Sequence, residues 1–217
     1  TMDKGRHDVV TEIDLMIERH CIECIKRAYP NATVVSEEYN KDNLLGKNCF
    51  VIDPIDGTKN FAHGLALWGF QMAYVENGET LASIVYLPDL NMFVSAIKDK
   101  GTFLNNKSIH INKSRDVDHS LWIVEGKPEK WHLGEMLASD SMGVRSMGCT
   151  SISFIFVALG QIDGIVVYRI KNAWDILPGL FACECAGLCC KAFENGTYIV
   201  TTNQNLLDYA CEKLSKK

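Results

Sequence analysis

Two carboxylates, Asp53 and Asp56, stand three residues apart directly after an apolar run, Cys49 to Ile52, with Pro54 between them. A strand end is a rigid platform, and two carboxylates held that close repel each other unless a cation lies between them. Hard divalent ions such as Mg²⁺ take oxygen ligands from a few carboxylates, a backbone carbonyl and waters, and Ile55, caught between the two acids, offers its carbonyl. Gly57-Thr58 then opens a short predicted helix over Lys59 to Ala62, whose free N–H groups form an anion site. Cation ligands beside a phosphate-binding turn are the layout that phosphoryl chemistry needs. Three further acidic positions fit the pattern. Glu37-Glu38 end the preceding predicted strand, Asp175 follows Trp174 at the head of an otherwise apolar helix, and Asp14 falls in the first turn of another. Taken singly, each has a plainer reading: a turn signal at Asp53 to Gly57, a solvated loop at Glu37-Glu38, and N-capping at Asp14 and Asp175.

The elements that must carry these residues can be read from periodicity. Ile13, Ile17, Cys21, Cys24, Ile25 and Ala28 recur at helical steps, which predicts an amphipathic helix from Thr11 to Tyr29. Thr11 and Asp14 resemble a capping box, and Pro30-Asn31 stops the helix. Thr33 to Val35 and Cys49 to Ile52 read as strands. Gly69 to Glu76, an Asn77-Gly78 hairpin turn and Thr80 to Tyr86 follow. With Met92 to Ile97 and a turn at Lys98 to Gly101 they make an antiparallel meander. Beyond Arg115, strands at Leu121 to Val124, Ile165 to Tyr168 and Tyr198 to Thr202 alternate with helices at Pro128 to Ser139, Ser151 to Leu159, Trp174 to Gly187 and Asn205 to Lys213. Two halves, 1–115 and 116–217, are expected to share one compact body.

Composition narrows the class. The 217 residues carry 27 acidic and 22 basic side chains for a net charge of −5, with 47% hydrophobic and 23% charged residues, an ordinary globular balance. No Lys/Arg-rich run exists to displace counterions, which argues against a nucleic-acid polymer as partner. The longest apolar stretch, Ile152 to Tyr168, is broken by Gly160, Gln161 and Asp163, so no membrane span is expected. The opening TMDKGRHDVV is polar and shows no signal peptide, and Thr1 ahead of Met2 suggests a cut end. Nine cysteines, an odd number without a secretory signal, indicate reduced thiols and a cytoplasmic protein. Cys183, Cys185, Cys189 and Cys190 have C-x-C and C-C spacings inside LPGLFACECAGLCC, read here as one helical stretch of small buried hydrophobes rather than a zinc site. The six histidines form no paired metal motif; His63 is placed at the pocket mouth.

Taken together, D-x-V-T-x-x-D (Asp8 to Asp14), S-E-E (Ser36 to Glu38), D-P-I-D-G-T (Asp53 to Thr58) and W-D (Trp174-Asp175) resemble the inositol monophosphatase superfamily in order and spacing. N-F-A-H-G-L (Asn60 to Leu65) is similar to it as well. The resemblance implies an α+β protein with a layered αβαβα sugar-phosphatase fold. It also implies a Mg²⁺-dependent, lithium-sensitive phosphomonoesterase acting on a small phosphorylated substrate with two or three Mg²⁺ ions, and a homodimer. It assigns Glu37, Asp53 and the Ile55 carbonyl to one ion, and Asp53, Asp56 and Asp175 to a second. Asp14, with Glu37 through water, would reach a third and help Thr58 polarise the attacking water. Glu38 supports these ligands, Gly57 and Thr58 cradle the phosphate through their N–H groups, and Trp174 positions Asp175 by packing. In-line attack of the activated water then releases inorganic phosphate without a phospho-enzyme.

Substrate choice is where the sequence departs. Inositol-specific members carry a glutamate seven residues before the Asp175 position, where an ungapped count in this chain lands on Tyr168 and a one-residue shift on Val167 or Arg169. The substrate is therefore expected to be another small sugar, polyol or amino-alcohol phosphate. Arg169 and Lys171 bring positive charge near the pocket mouth, and Gly148, Cys149 and Thr150 occupy the helix entrance where the family contacts its sugar. Leu67-Trp68-Gly69 resembles histidinol-phosphate phosphatases; fructose 1,6-bisphosphate or a 3′-phosphonucleotide is the further alternative, as is a non-catalytic metal-binding homologue. Relatives also carry another helix before Asp8, whose absence would leave an apolar stripe on the Thr11–Tyr29 helix exposed or covered by a partner.

Overall fold

The computed structural model describes residues 2–5, 8–42, 45–111, 115–126 and 131–215; His7, Pro128 and the side chain of Asp8 lie outside the described set. A short antiparallel hairpin, β1 (Met2–Gly5) and β2 (Asp8–Val10), leads into α1 (Glu12–Ala28). Thr11 caps this helix: its N–H donates to Asp14 Oδ2 at 2.9 Å, and the Asp14 N–H donates back to Thr11 Oγ1 at 3.3 Å. The stripe that α1 turns inward is not the apolar one expected. It buries Asp14, Glu18 and Ile25, while Ile13 and Met16 stay 42% and 63% exposed.

A seven-stranded sheet follows in order: β3 (Thr33–Ser36), β4 (Asn48–Asp56), β5 (Gly69–Glu76), β6 (Glu79–Leu87), β7 (Met92–Ile97), β8 (Gly101–Leu104) and β9 (Lys107–Ser108). Only β3 and β4 are parallel; every later pair is antiparallel. One helical turn and a half, α2 (Thr58–Ala62), separates β4 from β5. Asn77 and Gly78 both have positive φ, +52° and +83°, as a two-residue turn compatible with strand twist requires. The second sheet is built from β10 (Leu121–Gly126), β11 (Gly143–Arg145), β12 (Gly164–Tyr168), β13 (Cys189–Ala192) and β14 (Tyr198–Thr201), ordered β11-β10-β12-β14-β13. Its helices are α3 (Trp131–Asp140), α4 (Thr150–Ala158), α5 (Ala173–Cys185) and α6 (Gln204–Ser215). The strands β8, β9, β11 and β13 and the β1–β2 hairpin are not among the sequence expectations. The cysteine-rich stretch is also corrected: α5 ends at Cys185, and Cys189 and Cys190 lie in β13, beyond Gly187 at φ +80°. All nine thiols are free.

The layers follow from the apolar pattern. α4 and α5 are apolar nearly all round because they lie between two sheets. Phe154, Val157, Ile176 and Cys183 meet Ile123, Ile165, Val167 and Val200 of the smaller sheet. Ile152, Ile155 and Phe181 meet Val85, Leu87 and Val94 of the larger one. On the far side of the smaller sheet, Leu137 of α3 and Leu206, Leu207 and Ala210 of α6 cover Trp122, Val166 and Ile199. On the far side of the larger sheet, Ile25 of α1 covers Val34, Phe50 and Ile52. The result is the expected αβαβα stack. No described helix is long and apolar enough to cross a membrane.

The middle layer is tight where α4 crosses α5. A Cβ added to Gly179 would stand 2.6–2.8 Å from three atoms of the buried Phe154. Gly179→Ala is therefore expected to lower stability by about 1–3 kcal/mol, although alanine is the better helix former. Urea unfolding measures it, and an unchanged or raised midpoint would show that Phe154 can yield.

Candidate metal centre

β4 is buried from Cys49 to its end, so its last residues are held by the core on both faces. Along a regular strand, residues three apart point to opposite faces. Here the ladder slips. Asp53 pairs with Gln71 and Asp56 with Gly69, so three steps on β4 match two on β5. The extra residue restores the parity and turns both carboxylates to one side, and Pro54, with no N–H to donate, sits where a bulge tolerates it.

Asp175, in the first turn of α5, completes the group: Asp53, Asp56 and Asp175 each offer an oxygen within 4.8 Å of the others. Trp174 beside it is buried against Val35, Val51, Ala73 and Val75 on the inner face of β3–β5. The three acids are held very differently. Asp56 Oδ2 accepts from the Ser151 N–H at the head of α4, from Thr150 Oγ1 at 3.1 Å and from the Cys149 thiol at 3.2 Å. Asp175 Oδ2 accepts from Asn172 Nδ2 at 3.0 Å. Asp53 is 1% exposed, and neither of its oxygens has a hydrogen-bond partner. Burial, and then the charges of Asp56, Glu37 and Asp175, hold the Asp53 carboxyl well above the usual carboxylate range. Burial, and then Asp56, push Asp175 up to about 7. An oxygen-only set around a buried carboxylate, Asp53, that completes no hydrogen bond is what a hard divalent cation would satisfy. Among the described residues, no other group of three or more acids, cysteines and histidines converges in this way.

The neighbouring turns are fixed around it. Gly57 takes φ +85°, and a Cβ there would stand 2.8 Å from the Leu67 carbonyl oxygen and 3.1 Å from Cys149 Cβ, so this position admits only glycine. Thr58 Oγ1 donates to the Ile55 carbonyl at 2.8 Å. Asn60 Nδ2 donates to the carbonyls of Leu67 and Met147 at 2.7 and 2.8 Å, tying the loop after α2 to the lead-in of α4. Asp14 is fully buried. Its Oδ2 is used in the α1 cap, while Oδ1 has no partner. Glu37 lies outside the tight group, but its charge reaches Asp53.

Two buried glutamates that the sequence reading passed over do the positioning. Glu18, one turn after Asp14 on the inward stripe of α1, accepts from Ser36 Oγ (2.6 Å), the Tyr39 N–H (2.7 Å) and the Glu38 N–H (2.9 Å). It thereby holds the loop that presents Glu37. Glu125, near the end of β10, accepts from the Met147 N–H (2.6 Å), the Gly148 N–H (3.2 Å), Ser146 Oγ (3.3 Å) and Ser153 Oγ (2.8 Å), and so sets the approach to α4. The available signals were spacing for Glu18 and an acid closing an apolar strand for Glu125.

At the rim the expectations divide. Thr150 stands at the head of α4 against Asp56, and Gly148, just before that helix, is held by Glu125. Tyr168 is instead 2% exposed in the cluster with Trp122, Leu137 and Leu206, on the sheet face opposite α4 and α5. Strand parity puts it there, with Val167 facing the site side, so the pocket role expected for Tyr168 is corrected. Arg169, at φ +54° with its guanidinium 5.3 Å from the Tyr168 ring centre, and Lys171 are exposed in the loop that leads to α5. His63 is exposed, with Nδ1 2.8 Å from the Lys59 carbonyl oxygen.

Comparison with known proteins agrees with this geometry. The model of the inositol monophosphatase family matches residues 1–215. The chain is 32% identical over 184 residues to the fructose-1,6-bisphosphatase/inositol-1-monophosphatase of Thermotoga maritima, covering 84% of this chain and 71% of that one. It is 32% identical over 211 residues to the Nus factor SuhB of Pasteurella multocida, covering 92% and 77%. Among solved structures, the IMPase of Thermotoga maritima superposes with a TM-score of 0.90 at 28% identity, covering 98% of this chain and 85% of that one. By motif, layered fold and whole-chain match, this protein belongs to the inositol monophosphatase family.

Proposed function

We propose that the protein is a Mg²⁺-dependent phosphomonoesterase acting on a small sugar, polyol or amino-alcohol phosphate. The observation that carries this reading is the buried Asp53 carboxylate, without a hydrogen-bond partner, inside a group of three acids. Glu37, Asp53 and the Ile55 carbonyl would hold one ion and Asp53, Asp56 and Asp175 a second, with Asp14 and Glu37 nearest a third. When bound, the ions neutralise phosphate charge and make water a usable nucleophile near neutral pH.

The protein's own groups do the rest. The Thr58 hydroxyl gives its one proton to the Ile55 carbonyl, so toward the substrate it acts only as an acceptor and orients a water by taking a hydrogen bond from it. Gly57 and Thr58 offer their N–H groups to the phosphate at the head of α2. The buried Asp14 Oδ1 is a further acceptor for water or its proton. Arg169 and Lys171, exposed in the loop that leads to α5, favour a substrate with anionic or strongly polar character away from the reacting phosphate.

Phosphate release from inositol 1-phosphate, histidinol phosphate, fructose 1,6-bisphosphate, glycerol 2-phosphate and 3′-phosphoadenosine 5′-phosphate tests the reaction class. Activity is expected to need Mg²⁺ and to fall with Li⁺. It should drop by about 100-fold or more in Asp53→Asn, the scale of losing one preorganised electrostatic group. Cation binding without phosphate release on any compound would establish instead a non-catalytic member of the family.

The raised carboxyls give a second test with a definite sign. An acid whose folded-state pKa lies above its unfolded one favours folding at low pH and loses that contribution as pH rises through the folded value. For Asp175 this window runs up to about 7. A cation must displace those protons, so its affinity grows with pH. The rise in Tm on adding Mg²⁺ is therefore expected to be larger at about pH 8 than at about pH 5, and to vanish in Asp53→Asn. An equal rise at both pH values would mean that these carboxylates are not the ligands.

A further inference from the structure

Gln71 of β5 is fully buried, and neither atom of its amide has a hydrogen-bond partner. It stands directly across the β4–β5 ladder from Asp53, and on its other side it pairs with Val85 of β6. Residues directly opposite in an antiparallel pair put their side chains on the same face, with Cβ atoms about 4.5–5.5 Å apart. The Gln71 amide therefore lies against the Asp53 carboxylate, near enough to favour its charged form as a donor, yet none of the four polar atoms reaches the geometry of a full hydrogen bond. Its near neighbours on this inner face are the apolar Val51, Ala73, Val75 and Val85, with the buried Ser83 hydroxyl opposite Ala73. A buried amide without partners is costly, and nothing in the packing of β5 calls for one here.

We propose that Gln71 is a positioning residue for the cation at Asp53. With an ion held between the carboxylates, the Gln71 Nε2–H donates to one Asp53 oxygen and leaves the other to face the ion. An amide suits this position on charge grounds. A fourth carboxylate would add to the repulsion among Asp53, Asp56 and Asp175, and a lysine or arginine would take the place of the cation. Groups that orient a metal ligand from behind typically change metal affinity about 10- to 100-fold when removed. This inference rests on the cation reading of the preceding section.

The test uses the full chain with Gln71→Leu, and Gln71→Met as an unbranched second variant in case leucine disturbs the packing. Mg²⁺ alone is titrated by calorimetry, and the stability of the metal-free protein is measured separately by urea unfolding. The expected result is Mg²⁺ binding weaker by about 10- to 100-fold, with metal-free stability unchanged or raised, because two unpaired buried polar atoms have been removed. The Mg²⁺ concentration for half-maximal phosphate release should rise by the same factor. Wild-type Mg²⁺ affinity in both variants would overturn the proposal, and so would a loss of metal-free stability that accounts for the weaker binding. Wild-type protein that binds no Mg²⁺ would overturn the cation reading and this inference with it. Binding by the wild type, lost in Asp53→Asn but unchanged in the Gln71 variants, would overturn this inference alone.

Discussion

Mutual repulsion among three carboxylates in a volume less than 5 Å across is the constraint around which the structure is arranged. Two unit charges about 4 Å apart interact by about 4 kcal/mol at the effective dielectric of a protein near its surface, against a whole-domain stability of about 5–15 kcal/mol. Left to itself, such a group would open or stay protonated. It stays assembled because each acid sits on a different rigid support. Asp53 stands on a strand buried on both faces, Asp56 beyond a bulge that turns it to the same side, and Asp175 on a helix pinned by Trp174. Burial first, and then the neighbouring charges, hold the Asp53 and Asp175 carboxyls above the usual carboxylate range, as expected where rigid supports keep acids together.

The supports themselves depend on the layering. α4 and α5 can point their first turns at the site only because both are apolar on every side and fill the space between two sheets. The head of α4 then supplies the Ser151 N–H and the Thr150 hydroxyl to Asp56, an arrangement that also sets a negative charge at the favourable end of the helix dipole. Glu125 and Glu18 apply the same device at one remove. Each is a buried acid saturated with N–H and O–H donors, and each converts a flexible loop into a fixed one. Asp53 is the exception, because it alone of the three acids completes no hydrogen bond.

How much of this was legible in the sequence depends on the range of the interaction involved. D-P-I-D-G-T after an apolar run is a local statement about a strand end, and the structure places Asp53, Ile55, Asp56 and Gly57 in that setting. The Asn77-Gly78 hairpin and the Thr11–Asp14 cap are local too. The bulge was not legible, because it is a relation between β4 and β5 rather than a property of either. The inward stripe of α1 was misassigned for a similar reason. Periodicity finds the helix, but the face buried is the one whose carboxylates reach Ser36, Glu38 and Thr11. Small apolar residues such as Cys189 and Cys190 fit helix and strand equally well, and only the left-handed Gly187 marks the change.

Tyr168 shows where local reading fails for specificity. Counting back from Asp175 finds the right stretch of chain but not the right face, since a strand gives alternate residues to opposite sides and Tyr168 falls on the side of α3 and α6. The groups proposed to deal with phosphate charge stand on strand and helix ends locked by the core. Those that would meet the rest of the substrate, Arg169 and Lys171, stand on an exposed loop whose backbone turns left-handed at Arg169. A rigid reaction centre with a separately variable rim lets one chemistry serve many phosphomonoesters. That division explains why the motifs of this chain specify the reaction class far more sharply than the molecule it acts on.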